Sequence, residues 1–120
     1  MGALPDDAMV VRGGQNLPDN FAEGSGVAVD ADGKVQGVSV NAAAGLSLVD
    51  LTSPNFNTGY PGIPHHRVGV TTVGEVRSHG GDVMMSPTKR NPNHAILSGL
   101  TPEQASSLFR PTVKNPRRIN

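Results

Sequence analysis

Residues 65–109 read HHRVGVTTVGEVRSHGGDVMMSPTKRNPNHAILSGLTPEQASSLF, and the fold turns on this stretch. It holds all four histidines, two helix-start signatures and three apolar runs of strand length. The first start is Thr72-Val73-Gly74-Glu75, where a threonine cap and a glutamate three residues on make a capping box, and Gly80-Gly81 ends the helix. Residues 67–71 (RVGVT) enter that helix as a strand, and residues 82–85 leave it as another. Strand, helix, strand in this order implies two parallel neighbours with a connection near the lower length limit. The second start is Thr101-Pro102-Glu103-Gln104, with Thr as cap, Pro at the first helical position and Gln as the box partner. Ala105, Leu108 and Phe109 give this helix its apolar face at i, i+3, i+4 spacing. Between the two units, residues 94–97 (HAIL) form a strand leaving the basic, turn-rich loop 87–93 (PTKRNPN).

Working outward toward the N-terminus, residues 8–12 (AMVVR) make a short buried strand closed by Gly13-Gly14, which leaves Arg12 at the strand end. Residues 18–23 (PDNFAE) fit one or two helical turns, stopped by Gly24. Residues 27–30 and 35–40 flank the turn 31–34, in which Gly33 can take the left-handed conformation, and they read as a hairpin. Alternation sends Val27, Val29, Val38 and Val40 to the core, with Ser39 and Asn41 on the other face. Residues 46–51 (LSLVDL) leave strand and helical turn undecided. Residues 52–64 are a loop, with three prolines, two glycines, two asparagines and the only tyrosine, Tyr60. Loops of this length inside a compact domain are usually functional or poorly ordered. The expected architecture is therefore an α+β domain over residues 1–109. It comprises a small mixed β-sheet of about five short strands and two or three short helices in a loop-rich chain. Residues 110–120 follow as an extended basic tail, since Pro111 and Pro116 forbid a helix and Arg110, Lys114, Arg117 and Arg118 meet no acid.

Composition narrows the function classes. A chain of 120 residues suits one domain, and 36% hydrophobic with 3% aromatic content makes the core aliphatic. Gly and Pro are abundant, yet the net charge is zero and valine-rich runs recur, so order with many turns is expected rather than disorder. The balanced charge gives no global field for nucleic acid or membrane, so an anionic partner must meet a local patch. The absence of Cys excludes thiol catalysis, disulfides and thiolate metal sites. No apolar run approaches the roughly 18 to 20 residues of a membrane span, and residues 1–12 lack the pattern of a signal peptide. A soluble, cytoplasmic protein with no membrane partner is expected.

The candidate chemistry is sparse. The Gly-rich segments do not end in Gly-Lys-Ser/Thr and make no P-loop, and no nucleophile elbow or His-Glu-x-x-His occurs, so no cofactor is expected. His65-His66 lack further ligands, and adjacent residues on extended chain point apart, so no metal is expected. His79 sits at a helix C-terminus, where a cation suits the dipole. His94 starts a strand just after Lys89, Arg90 and Asn91. There it reads either as a general acid or base for phosphate chemistry or as a ring that pins the loop through a carbonyl. Arg12 is a bidentate anion clamp beside glycines that let a ligand approach, or else the partner of a surface acid. With Ser39 and Asn41, these residues would line one polar cleft. An antiparallel pairing of strands 8–12 and 94–97 would bring Arg12 and His94 to one edge of the sheet.

The strings Arg12-Gly13-Gly14, Gly37-Val38-Ser39-Val40-Asn41, VGVTTVGEVR at 68–77 and Asn91-Pro92-Asn93-His94-Ala95 resemble a pattern recurring in small, stand-alone bacterial proteins of no established activity. It covers most of the chain and implies one domain of bacterial type. The opening Val10-Val11-Arg12-Gly13 is also similar to the first strand of ADP-ribosyltransferase-like toxins, in which the arginine contacts the NAD phosphates. The Ser-Thr-Ser and the catalytic Glu pair of those toxins have no counterpart, and Glu75 falls in a capping box. Two functions are thus expected to compete. One is a small toxin-like enzyme acting on RNA or a nucleotide. In it His94 is acid or base, Arg12 is the phosphate clamp, Ser39 and Asn41 orient, and Lys89, Arg90, Asn91 and the basic tail touch the ligand; a small inhibitor protein would be its partner. The other is a non-catalytic module that binds a protein partner through the long loop and the tail.

Overall fold

The apolar run at Met9–Gly13 (β1) is covered on both faces: Val10 and Val11 point to opposite sides and both are fully buried. The computed structural model describes residues 3–24 and 26–116. Its further elements are α1 (Pro18–Ala22), β2 (Ala28–Val29), β3 (Val35–Gln36), β4 (Val38–Ala43), α2 (Leu48–Thr52) and β5 (Arg67–Thr72). Then follow α3 (Val73–Ser78), β6 (Asp82–Met85), β7 (His94–Ser98), α4 (Pro102–Leu108) and β8 (Val113–Lys114). Six strands make one sheet in the order β6-β7-β4-β1-β5-β8, every neighbouring pair antiparallel, and β2 and β3 form a separate hairpin. The domain is α+β, as the sequence indicates.

Each sheet face carries its own apolar layer. On one face α1, α3 and α4 lay Phe21, Val76, Ala105 and Phe109 over Val10, Val40, Ala42 and Leu97. The Phe21 and Phe109 rings stand 5.9 Å apart. On the other face α2 and the chain after it place Leu51 and Ile63 over Val11 and Val68. Helix starts follow the sequence signals. Thr101 Oγ1 accepts from Gln104 N at 3.1 Å, and Thr101 N donates to Gln104 Oε1 at 2.9 Å. At α3 only half of the box forms: Thr72 Oγ1 accepts from Glu75 N at 3.2 Å. His79 caps the other end of α3 with Nδ1 2.9 Å from Glu75 O. Ser47 and Asp50 make a full capping box that settles residues 48–52 as helix, the segment whose periodicity is too short to decide.

Several expectations are corrected. The sheet is antiparallel throughout instead of mixed. β5 and β6 run in the same direction, but β1, β4 and β7 lie between them, so α3 crosses the face of the sheet rather than joining neighbours. Burial explains the order: β1, apolar on both faces, takes a central place, whereas β6 exposes Met84 and sits at an edge. Residues 35–40 are not one strand either. Gly37, at φ 85°, interrupts them and shifts the alternation, so that Val35 and Val38, an odd number of residues apart, both face the core. β2 and β3 therefore pair apart from the six-stranded sheet, with Val35 tied to the chain after β7 by bonds to Gly99 N at 2.9 Å and Leu100 O at 2.8 Å, and Val29 is 47% exposed instead of buried. Part of the basic tail joins the sheet as β8, paired with β5, while Arg117 and Arg118 lie outside the described residues.

Gly69 shows how closely the helix layer approaches. A Cβ built there would stand 2.0 Å from Phe109 O, a backbone atom that cannot swing aside. Gly69→Ala is expected to destabilise the fold by about 3 kcal/mol through overpacking. Thr101→Ala, which removes one cap bond, should cost only about 1 kcal/mol. Urea denaturation of the two variants checks this ranking, and a Gly69→Ala protein as stable as wild type would contradict the packing described.

Candidate functional site

Strand register assembles the site. Val11 on β1 faces Asn41 on β4, and Asn41 faces His94 on β7, so one row of side chains crosses three strands on the face opposite α1 and α4. Ser39, two residues before Asn41, shares that face and sits diagonally from His94. The imidazole is held at both nitrogens, with Nδ1 2.7 Å from Ser86 O and Nε2 3.0 Å from Ser39 Oγ. A carbonyl oxygen can only accept, so Nδ1 carries the proton and neutral His94 turns the lone pair of Nε2 to the Ser39 hydroxyl. A hydroxyl, a base and a group that orients the base thus stand in sequence, the relation from which general-base and nucleophilic chemistry is built.

Behind this pair lies a buried amide network. Asn41 Nδ2 donates to Leu51 O at 2.9 Å and to Tyr60 Oη at 2.8 Å, while Asn41 Oδ1 accepts from Asn91 Nδ2 at 2.8 Å. The orientation is fixed at both ends, since Leu51 O can only accept and Asn91 Oδ1 takes the amide of Asn93 at 3.1 Å. Tyr60 Oη accepts from Asn41, which leaves its own proton to donate. The loops carrying Tyr60 and Asn91 are also clipped to each other, because Arg90 Nη2 donates to Gly59 O at 2.7 Å and the Thr58 hydroxyl donates to Arg90 O. Lys89 and Arg90 remain exposed on the same loop, whereas Asn91 is buried and bonded to Asn41.

These groups open on a cavity of about 310 Å³. Its far wall is His65, which lies directly over Gly13: a Cβ on Gly13 would meet Ile63 Cγ2 at 2.5 Å and His65 Cδ2 at 2.6 Å. Glycine is required at that position so that the chain bearing His65 can close over the end of β1. Asn115, just beyond β8, holds this chain by donating to Ile63 O at 2.7 Å and His65 O at 2.8 Å. No Asp or Glu lines the cavity, while Ser39, Asn41, Tyr60, His65, Asn91 and His94 all do. Among the described residues no group of three or more His, Cys, Asp or Glu is placed to hold a metal ion.

Arg12 borders the same cavity, but its guanidinium serves the opposite layer. Nη1 donates to Asn16 Oδ1 at 2.6 Å, Nη2 to Asn20 O at 3.3 Å, and Cζ stands 4.6 Å from the centre of the Phe21 ring. Burial lowers its pKa from the ordinary arginine value. The proposed pairing of β1 with β7 is overturned, because β4 lies between them. Alternation along β1 then sends Arg12 to the face of Val10, away from Val11, Asn41 and His94. Sequence reasoning also left Tyr60 and His65 outside the site. The signal that could have found them is the 13-residue loop 52–64, which holds the only tyrosine and leads directly into His65.

Comparison with protein-family models, with curated proteins and with solved structures gives no match for this chain. Its function is argued from geometry alone.

Two outcomes follow. Nitrogen-15 NMR of the histidines should find His94 as the Nδ1–H tautomer in its neutral form, and an Nε2–H signal would refute the bond to Ser86. Asn41→Ala, which strands Leu51 O, Asn91 Nδ2 and Tyr60 Oη, should cost about 3 kcal/mol in urea denaturation. A cost below about 1 kcal/mol would mean that the network does not hold the loops.

Proposed function

We propose that the protein is a small toxin-like enzyme acting on RNA or a nucleotide by phosphate-directed acid–base chemistry. The observation that carries this reading is the line Ser86 O, His94, Ser39 Oγ, opening on a cavity that Tyr60 and His65 also line and no carboxylate does. An anion suits such a cavity, because no carboxylate in its wall repels it and the neighbouring 87–93 loop carries Lys89 and Arg90, both exposed. The Ser39 hydroxyl marks the place of an attacking hydroxyl. In RNA cleavage the ribose 2′-hydroxyl takes that place, and His94 Nε2 removes its proton as the 2′-oxygen attacks the adjacent phosphorus. The P–O2′ bond forms and the P–O5′ bond breaks. His65, protonated, gives the leaving 5′-oxygen its proton, and Tyr60 Oη donates to a non-bridging oxygen as charge gathers there. The products are a 2′,3′-cyclic phosphate and a free 5′-hydroxyl.

The test is cleavage of a short RNA by the purified protein. His94→Ala should lower the rate by about a thousandfold, in the range of a lost general base. A substrate with 2′-deoxyribose at the scissile position should not react. Expression should arrest growth in a His94-dependent way, relieved by an inhibitor protein that covers the cavity. Equal cleavage by wild type and His94→Ala would end this reading, and tight co-purification of a protein partner with no RNA chemistry would favour an interaction module instead.

A further inference from the structure

Two further cavities adjoin the first. One of about 330 Å³ shares Tyr60 and Asn91 with it, and another of about 420 Å³ shares His65 with it. Through these shared residues the three cavities stand in a row, a furrow with the cavity of the Ser39–His94 pair in the middle position. The first outer cavity is bounded by Phe56, 76% exposed, and by Asn57 and Asn93, whose side-chain amides make no hydrogen bond among the described residues. The second is bounded by His66 and Arg67. Among the described residues Asp50 is the only acid along the furrow, and its carboxylate accepts at the start of α2 from Ser47 N at 3.1 Å and Ser47 Oγ at 2.9 Å.

Phe56 is not loose apolar surface. Asn55 Oδ1 accepts from Asn57 N at 3.0 Å and Thr58 N at 3.3 Å, and Asn55 N donates to Tyr60 O at 2.9 Å. This closed turn, clipped through Thr58 to Arg90, fixes the backbone that carries the exposed ring. A ring held so, beside free amides and next to an acid-poor cavity, fits a nucleobase stacked on its face with its edge met by the amides. We infer that the ligand is single-stranded RNA lying along the whole furrow, with one base stacked on Phe56, a phosphate at His94 and the next nucleotide against His66 and Arg67. This rests on the reading of the central cavity as a phosphate site and extends it from a nucleotide to a strand.

The experiment is a binding series at low salt with a 3′-nucleoside monophosphate, which occupies the central cavity alone, and a 2′-O-methyl pentaribonucleotide, which cannot be cleaved and runs the length of the furrow. Wild type should bind the pentamer more tightly than the monomer, and the preference should fall with added salt as Lys and Arg release counterions. Phe56→Ala should weaken pentamer binding about tenfold. Because the chain has no tryptophan, Phe56→Trp supplies a single indole, which should retain pentamer affinity and be quenched on binding. Pentamer binding unchanged in Phe56→Ala, or no quenching of the indole, overturns the inference. If wild type binds monomer and pentamer equally, the strand reading falls while the central cavity stands as a nucleotide site. If it binds neither, both readings fall.

Discussion

The amide of Asn41 is the constraint on which the rest of the site depends. It lies buried on β4, where an unpaired polar side chain is costly, and its two donors and its oxygen are all used. The three partners come from different parts of the chain: the end of α2, the 52–64 loop and the 87–93 loop. None is near Asn41 in sequence, so burying the amide is tolerable only when all three segments have arrived. The amide thus couples the cavity's shape to the fold. A glycine- and proline-rich loop that would otherwise sample many conformations is fixed at Tyr60 by a bond to the centre of the sheet.

The two faces of the sheet divide the work. Helices α1, α3 and α4 close one face with a continuous apolar layer, and their approach is near enough that Gly69 has no room for a methyl group. The second layer is smaller. α2 and Ile63 cover β1 and β5, but toward β4 and β7 the apolar cover ends and the row continues as Asn41 and His94. The cavity therefore begins where the second core stops. Gly13 has a different role from Gly69: it lets His65 rest against the strand end, and β8 with Asn115 keeps that chain down. A segment whose sequence reads as a basic tail thereby acts also as a fastening for the cavity wall.

Much of this was legible in the sequence, and the failures have definite causes. Cap chemistry is local, so Thr72, Thr101 and the helices they start could be read from a few residues. The pairing of strands is not local. The strand–helix–strand unit of β5, α3 and β6 suggests neighbours, yet which strands intervene depends on how apolar faces match across the whole sheet. The alternation of Ser39 and Asn41 placed them on one face, and His94 joins them because β7 pairs with β4. Arg12 does border the cavity that His94 lines, but not through a direct pairing of their strands: β4 lies between them, and alternation turns the guanidinium to the opposite face. Val29 was misjudged for a related reason, since the left-handed Gly37 resets the alternation that the hairpin would have carried into β4.

The asymmetry around His94 is what separates a catalytic reading from a structural one. A histidine used only to tie loops would be satisfied on both sides by groups that cannot leave. Here the rear nitrogen meets a backbone carbonyl, fixed by β-sheet geometry. The front nitrogen meets Ser39, an exposed hydroxyl at the mouth of a cavity, which rotates freely and can be displaced by another hydroxyl or by water. The ring is locked in position and tautomer from behind while its lone pair stays accessible from in front. Replacing Ser86 O by a second displaceable group would lose the orientation, and replacing Ser39 by a buried acceptor would lose the access. The fold supplies the first from the strand pair β6–β7 and the second from the solvent face of β4, so the two requirements of a general base, fixed orientation and open access, meet at the junction of these strands.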